Sequence, residues 1–147
     1  MRRFLLWFFF FALAATSVAR DETVAELKAR LENGHSDERV ELCVRIAKLQ
    51  MKAADKLYTE GHVDQARAAV EDVSAYFEKA RDAAIENKSH LKNVEIDARK
   101  TSEKMRDLKR TLAFEDQGPV DQAIQRIEAV RTVLLQEMFS NKKKERK

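Results

Sequence analysis

The stretch VDQARAAVEDVSAYFEKARDAAIENKSHLKNVEIDARKTSEKMRDLKRTL, residues 63–112, decides the fold because it holds no glycine or proline and its apolar residues recur at alternating steps of four and three. We call these recurring positions the seam: Ala66, Val70, Val73, Phe77, Ala80, Ala84, Asn87, Leu91, Val94, Ala98, Thr101, Met105, Leu108 and Leu112. Only Asn87 and Thr101 among them are not apolar. A 3.5-residue period held over about seven heptads is typical of a long helix packed along a left-handed seam. We therefore predict one helix of about 50 residues, about 75 Å long.

A break near Asn87-Lys88-Ser89 is the competing interpretation, because Asn and Ser favour helix caps over helix interiors. A loop there would be expected to shift the phase of the seam, and the seam keeps its phase. This favours an unbroken helix. Asn87 itself has two interpretations that the sequence leaves open: a buried polar residue that fixes register or oligomeric state, or a local end of burial.

Glycine and proline occur only in three polar turns, Asn33-Gly34-His35-Ser36, Glu60-Gly61-His62 and Asp116-Gln117-Gly118-Pro119. Between them lie good helix formers, so they predict an all-α fold with helices at about residues 22–32, 37–59, 63–112 and 119–139. Asp21 and Ser36 are the expected N-caps of the first two helices. Gly61 is expected to end the second helix in a left-handed turn, and Pro119 to open the fourth.

The tetrapeptide Val-Asp-Gln-Ala occurs twice, at residues 63–66 and 120–123, each time after a glycine turn. Asp64 and Asp121 would lie in a first helical turn, where a carboxylate meets exposed N–H groups. Ala66 and Ala123 would open a helix–helix contact with a small side chain. The repeat thus predicts two helix starts in a four-helix antiparallel arrangement. One long central helix is shared by two hairpins, and the first helix covers part of the first hairpin.

Residues 47–80 resemble a tetratricopeptide-like helical pair through the small and large residues Ala54, Leu57, Gly61, Ala66, Val70 and Val73. The late proline and early aromatic of that family are absent, and the 57-residue spacing of the repeat differs from the family's period of about 34. The resemblance implies a similar hairpin and protein binding, and it does not imply a solenoid.

Residues 1–19, MRRFLLWFFFFALAATSVA, have the pattern of a secretory signal peptide: two arginines, an apolar run, and small residues before the expected cut. The run of twelve apolar residues would span about 18 Å against about 30 Å of hydrocarbon, which favours cleavage after Ala19 over a retained anchor. We therefore predict export to the periplasm or the exterior, a helical domain at 20–140 and a basic disordered tail at 141–147. No later apolar run predicts a transmembrane segment.

The net charge of the chain does not indicate a nucleic-acid-binding surface. Without Arg2 and Arg3 it has 26 basic and 25 acidic residues, a net charge of +1. Without the last six residues as well, 21 basic and 24 acidic residues remain, a net charge of −3. A mildly acidic body argues against binding to phosphate backbones. The basic tail could contact an anionic surface weakly.

No motif for catalysis, metal or cofactor is present, so we predict that the protein is not an enzyme. His35 and His62 are expected at opposite ends of the second helix and cannot share a metal. His90 could approach His35 if the long helix is unbroken, but two histidines without placed carboxylates make a poor zinc site. Cys43 is the only cysteine and lies among apolar residues, which predicts a buried thiol.

A long helix flanked by short ones would leave apolar surface partly uncovered, which predicts a protein partner or a homo-oligomer. Our leading hypothesis is an exported, non-catalytic interaction or structural module that works along the central helix. The residues expected to make the contact are Tyr76, Phe77, Leu91 and Val94, near the middle of that helix. The alternative is a periplasmic stress or chaperone-like module that binds unfolded clients.

Overall fold

The computed structural model describes residues 22–144, and over these residues it contains helices and no strands. Its helices are α1 (Val24–Asn33), α2 (Ser36–Thr59), α3 (Val63–Asn87), α4 (Leu91–Thr111) and α5 (Phe114–Lys144). The predicted all-α class is therefore confirmed. The predicted signal peptide at 1–19, the expected cap Asp21 and residues 145–147 of the tail lie outside the described residues.

Local hydrogen bonds set the first two helix starts one or two residues away from the predicted positions. Thr23, rather than Asp21, caps α1: the Glu26 N–H donates to Thr23 Oγ1 at 3.3 Å, and the Thr23 N–H donates to Glu26 Oε2 at 2.8 Å. This reciprocal pair is a capping box, in which two backbone donors find acceptors at once. The N-cap of α2 is His35, and Ser36 is its first helical residue.

The α2–α3 turn is built on Gly61, as predicted. Gly61 has φ of 81°, the left-handed region that glycine enters without steric strain. The His62 N–H donates to the Leu57 carbonyl at 2.8 Å, and the Gly61 N–H donates to the Tyr58 carbonyl at 3.1 Å. These two bonds form a Schellman motif, which satisfies carbonyls that the helix end would otherwise leave unpaired.

The predicted single helix over 63–112 is wrong, because α3 ends at Asn87 and α4 begins at Leu91. The same Schellman pattern closes α3: the Ser89 N–H donates to the Ala84 carbonyl at 3.1 Å, and the Lys88 N–H to the Ile85 carbonyl at 3.2 Å. Lys88 takes the left-handed position with φ of 52°, and His90 follows with φ of 60°.

The seam does not reveal this break, because its residues face the core on both sides of it. Eleven of the fourteen seam residues are buried; Asn87, Leu91 and Leu112 are half-buried. An unchanged spacing of the apolar positions is required only if the residues form a single straight helix. After a turn, the direction that a new helix faces is set by the turn itself, and here the turn restores the same face to the core.

The start of the last helix also differs from the prediction. α5 begins at Phe114, so Pro119 lies inside it rather than at its first position. Its first turn is fixed by the Asp116 N–H, which donates to the Ala113 carbonyl at 3.0 Å, and by the Gln117 side chain, which donates to the Leu112 carbonyl at 3.1 Å. Pro119 has no backbone N–H, so the Glu115 carbonyl four residues earlier loses its usual intrahelical donor.

Two further predictions change because α5 is longer than expected. The second Val-Asp-Gln-Ala lies inside a helix, where Asp121 accepts from Lys109 Nζ of α4 at 2.6 Å. At the other end α5 continues to Lys144, so residues 141–144 of the predicted disordered tail are helical. The first copy does open α3, and Ala66 and Ala123 are both buried.

The helices form two hairpins that fold onto each other. α2 pairs with α3 and α4 pairs with α5, as the sequence predicts, but α5 also packs on α3 and α2 also packs on α4. α2, α3, α5 and α4 therefore close into a ring around one core, and α1 covers α2. The largest side chains fully enclosed there are Phe77, Leu27, Ile46, Met105, Ile127 and Leu134. This bundle replaces the predicted arrangement along one central helix.

Candidate functional site

The four residues predicted to bind a partner lie inside this bundle or against it. Phe77 and Val94 are 0% and 1% exposed, and Tyr76 is 7% exposed. Leu91 is half-buried and packs against the core. The premise for choosing them, a mid-helix surface that no other helix reaches, is wrong because the chain turns at Lys88–His90 and the two hairpins cover each other.

An open cleft of about 860 Å³ lies between α2 and α4. We call it the α2–α4 cleft. Its floor is formed by Met51, Thr101 and Leu108, all of them buried side chains. Its walls carry charged side chains from both helices: Lys48, Lys52, Asp55, Asp97, Lys100, Glu103, Lys104 and Asp107.

The cleft is open because the residues that separate α2 from α4 change along the two helices. Near the start of α2, Val40 and Val44 approach Val94 of α4 around a smaller cavity of about 290 Å³. Further along, the facing positions carry lysines and acidic residues instead of valines. Charged side chains keep their ends in water, so the two helices cannot close on each other there.

The charge of the cleft is balanced, with four lysines and four acidic residues in its walls. Lys48 Nζ and Asp97 Oδ1 lie 2.7 Å apart and bridge α2 to α4. Among the side chains that the structure describes, Lys52, Lys100 and Lys104 have no ion-pair partner. A balanced lining suits a partner segment that carries both signs of charge, and it does not favour a polyanion.

The sequence could not indicate this cleft. The predicted helix over 63–112 places residues 97–111 far from α2, whereas the turn at Lys88–His90 brings them alongside it. The one sequence feature that favours a turn there is the weak helix-cap preference of Asn87 and Ser89, whereas the unbroken seam favours a continuous helix.

A second polar cluster joins α4 to α5 around Glu128. Ser102, which is fully buried, donates to Glu128 Oε1 at 2.6 Å, and Arg106 Nη2 reaches the same oxygen at 2.8 Å. Arg131 Nη1 lies 2.7 Å from Oε2, and its Nε and Nη2 donate to Glu95. Burial acts to raise the pKa of Glu128, but the Ser102 hydrogen bond and the two arginines outweigh it and lower the pKa.

This cluster is suited to holding helices together rather than to chemistry. Oε1 of Glu128 accepts two hydrogen bonds and Oε2 accepts one, so Ser102, Arg106 and Arg131 use three of its roughly four acceptor positions. Ser102 donates a hydrogen bond to the Glu128 carboxylate, whose lowered pKa makes it a poorer acceptor of a proton. Catalytic serine needs a base that can take its proton.

The histidines and the cysteine occupy structural positions. His35 and His62 precede α2 and α3 at exposed turns, and His90 lines the smaller cavity with Val40 and Val44. Over residues 22–144 no group of three or more His, Cys, Asp or Glu could hold a metal ion. Cys43 is 2% exposed, which confirms the predicted buried thiol, and burial raises its pKa.

The exposed large apolar residues of the described part of the chain, Phe114, Val133 and Phe139, all lie on α5. Phe114 and Phe139 are about 37 Å apart along the helix, so they do not form one patch. Among the described helices, none combines the length and the apolar composition that crossing a bilayer requires.

The fold and the α2–α4 cleft define a class: a small helical bundle of two hairpins with an open, charge-balanced cleft. No protein-family model, curated protein or solved structure matches this chain. Any function therefore has to be inferred from the geometry of the bundle and its cleft.

Proposed function

We propose that this chain is an exported, non-catalytic helical protein that binds a segment of a partner protein in the α2–α4 cleft. The observation that carries the proposal is the cleft itself, with a volume of about 860 Å³. Cavities of about 300–1,000 Å³ are typical of binding sites, and grooves between helices commonly accept an amphipathic helix. The tetratricopeptide-like resemblance of residues 47–80 points in the same direction.

The chemistry of the cleft defines the partner that fits. Met51 and Leu108 offer an apolar floor, so the partner would place apolar side chains against them. The mixed lysines and carboxylates of the walls would pair with acidic and basic side chains flanking that apolar face. We therefore expect an amphipathic helical segment of near-zero net charge.

Export rests on the signal-peptide pattern of residues 1–19. Expression of the full chain in a cell with a secretory pathway should yield a protein that begins at Arg20. The mass of the intact exported protein measures this directly. A cell-retained product that still begins at Met1 would contradict export and leave the cleft proposal to be tested alone.

Partner binding can be tested with a photo-crosslinking amino acid at Lys52, and separately at Lys104, in the producing cell. Arg99 is a matched control position, since it is exposed on α4 and does not line the cleft. We expect the same crosslinked protein from positions 52 and 104 and none from position 99. Equal crosslinking at all three positions would contradict a specific site, and many unrelated unfolded chains at position 52 would favour the chaperone-like alternative.

Affinity for the crosslinked partner then tests the chemistry of the walls. The double variant Lys52→Glu, Lys104→Glu changes the charge of the cleft from balanced to about −4 and touches no buried side chain. We expect it to weaken binding by roughly tenfold or more. Arg99→Glu with Lys143→Glu applies the same charge change at exposed positions outside the cleft and should leave affinity unchanged.

A further inference from the structure

The segment between α3 and α4 combines features that oppose its present conformation. Lys88 and His90 both have positive φ, 52° and 60°, and neither is glycine. Residues that carry a Cβ are strained in this left-handed region, and here two such residues lie within three positions of each other. A right-handed helix through the same residues would remove this strain.

Two polar side-chain atoms at the same place lack partners. The amide nitrogen of Asn87 and the hydroxyl of Ser89 are buried, and neither makes a hydrogen bond within the described part of the chain. Buried polar atoms are nearly always paired in stable structures, because losing their water without a new partner is unfavourable. The turn is thus strained in its backbone and unsatisfied in its side chains.

The sequence around the turn permits a continuous helix. Residues 63–111 contain no glycine or proline, and the seam passes through the turn without a change of phase. In an unbroken helix Ala84, Asn87, Leu91 and Val94 would lie on one face, at steps of three, four and three. Residues that face the core in the bundle would therefore keep facing one partner surface if α3 and α4 joined.

We propose that a second copy of this chain is a partner of the protein, and that the two copies exchange their α4–α5 hairpins through the turn at Lys88–His90. In the exchanged form α3 and α4 join into one helix. The α4–α5 hairpin of each copy then packs on the α1–α3 half of the other. Exchange of this kind repeats the contacts of the monomer between chains, and strained short hinges favour it.

The contacts to be exchanged are those between the two halves of the bundle. They include the ion pairs Lys48–Asp97 at 2.7 Å and Arg67–Asp116 at 2.7 Å, and the pair of Glu78 with Arg126 at 2.8 Å. A single opened chain would expose the buried faces of α3 and α5 to water. Only a pair of chains buries them again, so the open form should appear as a dimer and in proportion to concentration.

The ion pair Lys48–Asp97 gives a direct test, because a carbodiimide joins an amine and a carboxylate only where they touch. We would mix full chains labelled with ¹⁵N and unlabelled full chains, unfold them, and refold them together at high concentration. After carbodiimide treatment, peptides joining Lys48 to Asp97 are analysed by mass spectrometry. Exchange predicts peptides with one heavy and one light half.

An internal control is present in the same molecule. Lys109 and Asp121 lie within the α4–α5 hairpin, with Nζ and Oδ1 2.6 Å apart, and belong to one chain in both forms. Their crosslinked peptide should never mix isotopes. Mixing there would show non-specific association, which would overturn the result from Lys48–Asp97.

Variants of the turn should move the fraction of mixed peptides in opposite directions. The double variant Lys88→Gly, His90→Gly relieves the left-handed strain and should lower the fraction of mixed peptides by roughly tenfold or more. The double variant Lys88→Ala, His90→Ala retains that strain and favours a continuous helix, so it should raise the fraction. Mixed peptides absent from both the native chain and the alanine variant at every concentration would overturn the proposal. So would equal fractions in the glycine and alanine variants.

This inference does not depend on the partner proposed for the cleft. If exchange is not observed, the crosslinking expected at Lys52 and Lys104 is unaffected, because that experiment detects a partner protein and not a second copy of this chain. A successful exchange would place α2 of one copy beside α4 of the other, so that each cleft would be formed by two chains.

Discussion

The turns at the two ends of α3 are made with the same hydrogen bonds and with different residues. Gly61 occupies the left-handed position after α2, and Lys88 occupies the equivalent position after α3. Left-handed φ is unstrained for glycine, but it is unfavourable by about 1–2 kcal/mol for a residue with a Cβ. The α2–α3 turn is thus favoured by its own sequence, whereas the α3–α4 turn is held by the packing of one hairpin on the other.

The largest effect is expected at the turn that glycine makes possible. Gly61→Ala should lower the free energy of unfolding by about 1–2 kcal/mol, because alanine must adopt the left-handed conformation. No heavy atom lies within 4 Å of the Cβ position at Gly61, so the loss would come from the backbone alone. Urea denaturation should show a lower midpoint with an unchanged m-value.

Gly61→Asn is the matched control, since asparagine tolerates left-handed φ better than alanine does. It should lose clearly less stability. An equal loss in both variants would mean that the conformation of residue 61 is not what limits this turn.

The opposite sign is expected at the second turn. Lys88→Gly should raise the free energy of unfolding by about 1 kcal/mol, because glycine removes the left-handed strain. Glycine also increases the conformational entropy of the unfolded chain, which offsets only part of this stabilisation. Denaturation should be followed in dilute solution, where a monomer predominates. Arg99→Gly, at an exposed position in the middle of α4, should instead be destabilising by about 1 kcal/mol. A loss of stability in both variants would contradict the strain at Lys88.

The same contrast explains how far the sequence could predict the fold. The all-α class, the turn at Gly61 and the two hairpin pairings follow from helix propensity, glycine placement and the seam. Gly118-Pro119 predicted a turn and is helical, whereas Asn87–His90 predicted a helix and contains a turn. Local preferences of about 1 kcal/mol per residue decide such segments only where tertiary packing does not oppose them.

The candidate site was less predictable than the fold. The sequence correctly assigned Phe77 and Val94 to the apolar seam, but it could not tell a core from an uncovered surface. The α2–α4 cleft depends on residues far apart in the chain, such as Met51 and Leu108, that meet only once the hairpins fold together. No local sequence pattern predicts that these two residues come into proximity.

Effects of at most about 1 kcal/mol are expected from the hydroxyl groups near the helix ends. The Ser89 hydroxyl has no partner among the described residues, so Ser89→Ala should be neutral or stabilising by about 0.5 kcal/mol. The Thr23 hydroxyl accepts from the Glu26 N–H, so Thr23→Ala should be destabilising by about 1 kcal/mol. Thermal unfolding of the two variants side by side measures both changes. A similar loss in both would mean that Ser89 has a partner in solution.

The smallest effect concerns acid and the contact between the hairpins. The Arg126 guanidinium lowers the pKa of Glu78, so the ion pair of α3 with α5 stabilises the fold above the ordinary carboxyl pKa of 4.5. That contribution is lost as the pH falls through the lowered pKa, because the unfolded chain takes up the proton more readily. Arg126 stays charged throughout, so it adds no pH dependence of its own in this range. Both side chains are about one-third exposed, which limits the effect to on the order of 0.5 kcal/mol.

Acid should therefore loosen the strained turn before the glycine turn, since Glu78 lies on the helix that ends at Asn87 and joins it to the second hairpin. Hydrogen exchange, corrected for its intrinsic pH dependence, should show the protection of the Ser89 N–H falling as the pH drops below the ordinary carboxyl pKa of 4.5 and through the lowered pKa of Glu78. The His62 N–H, inside the first hairpin, should lose less protection. Glu78→Gln should flatten the change at Ser89, because glutamine does not titrate. Equal loss of protection at both turns would show that the two hairpins open together, and that the packing between them protects the glycine turn as much as the strained one.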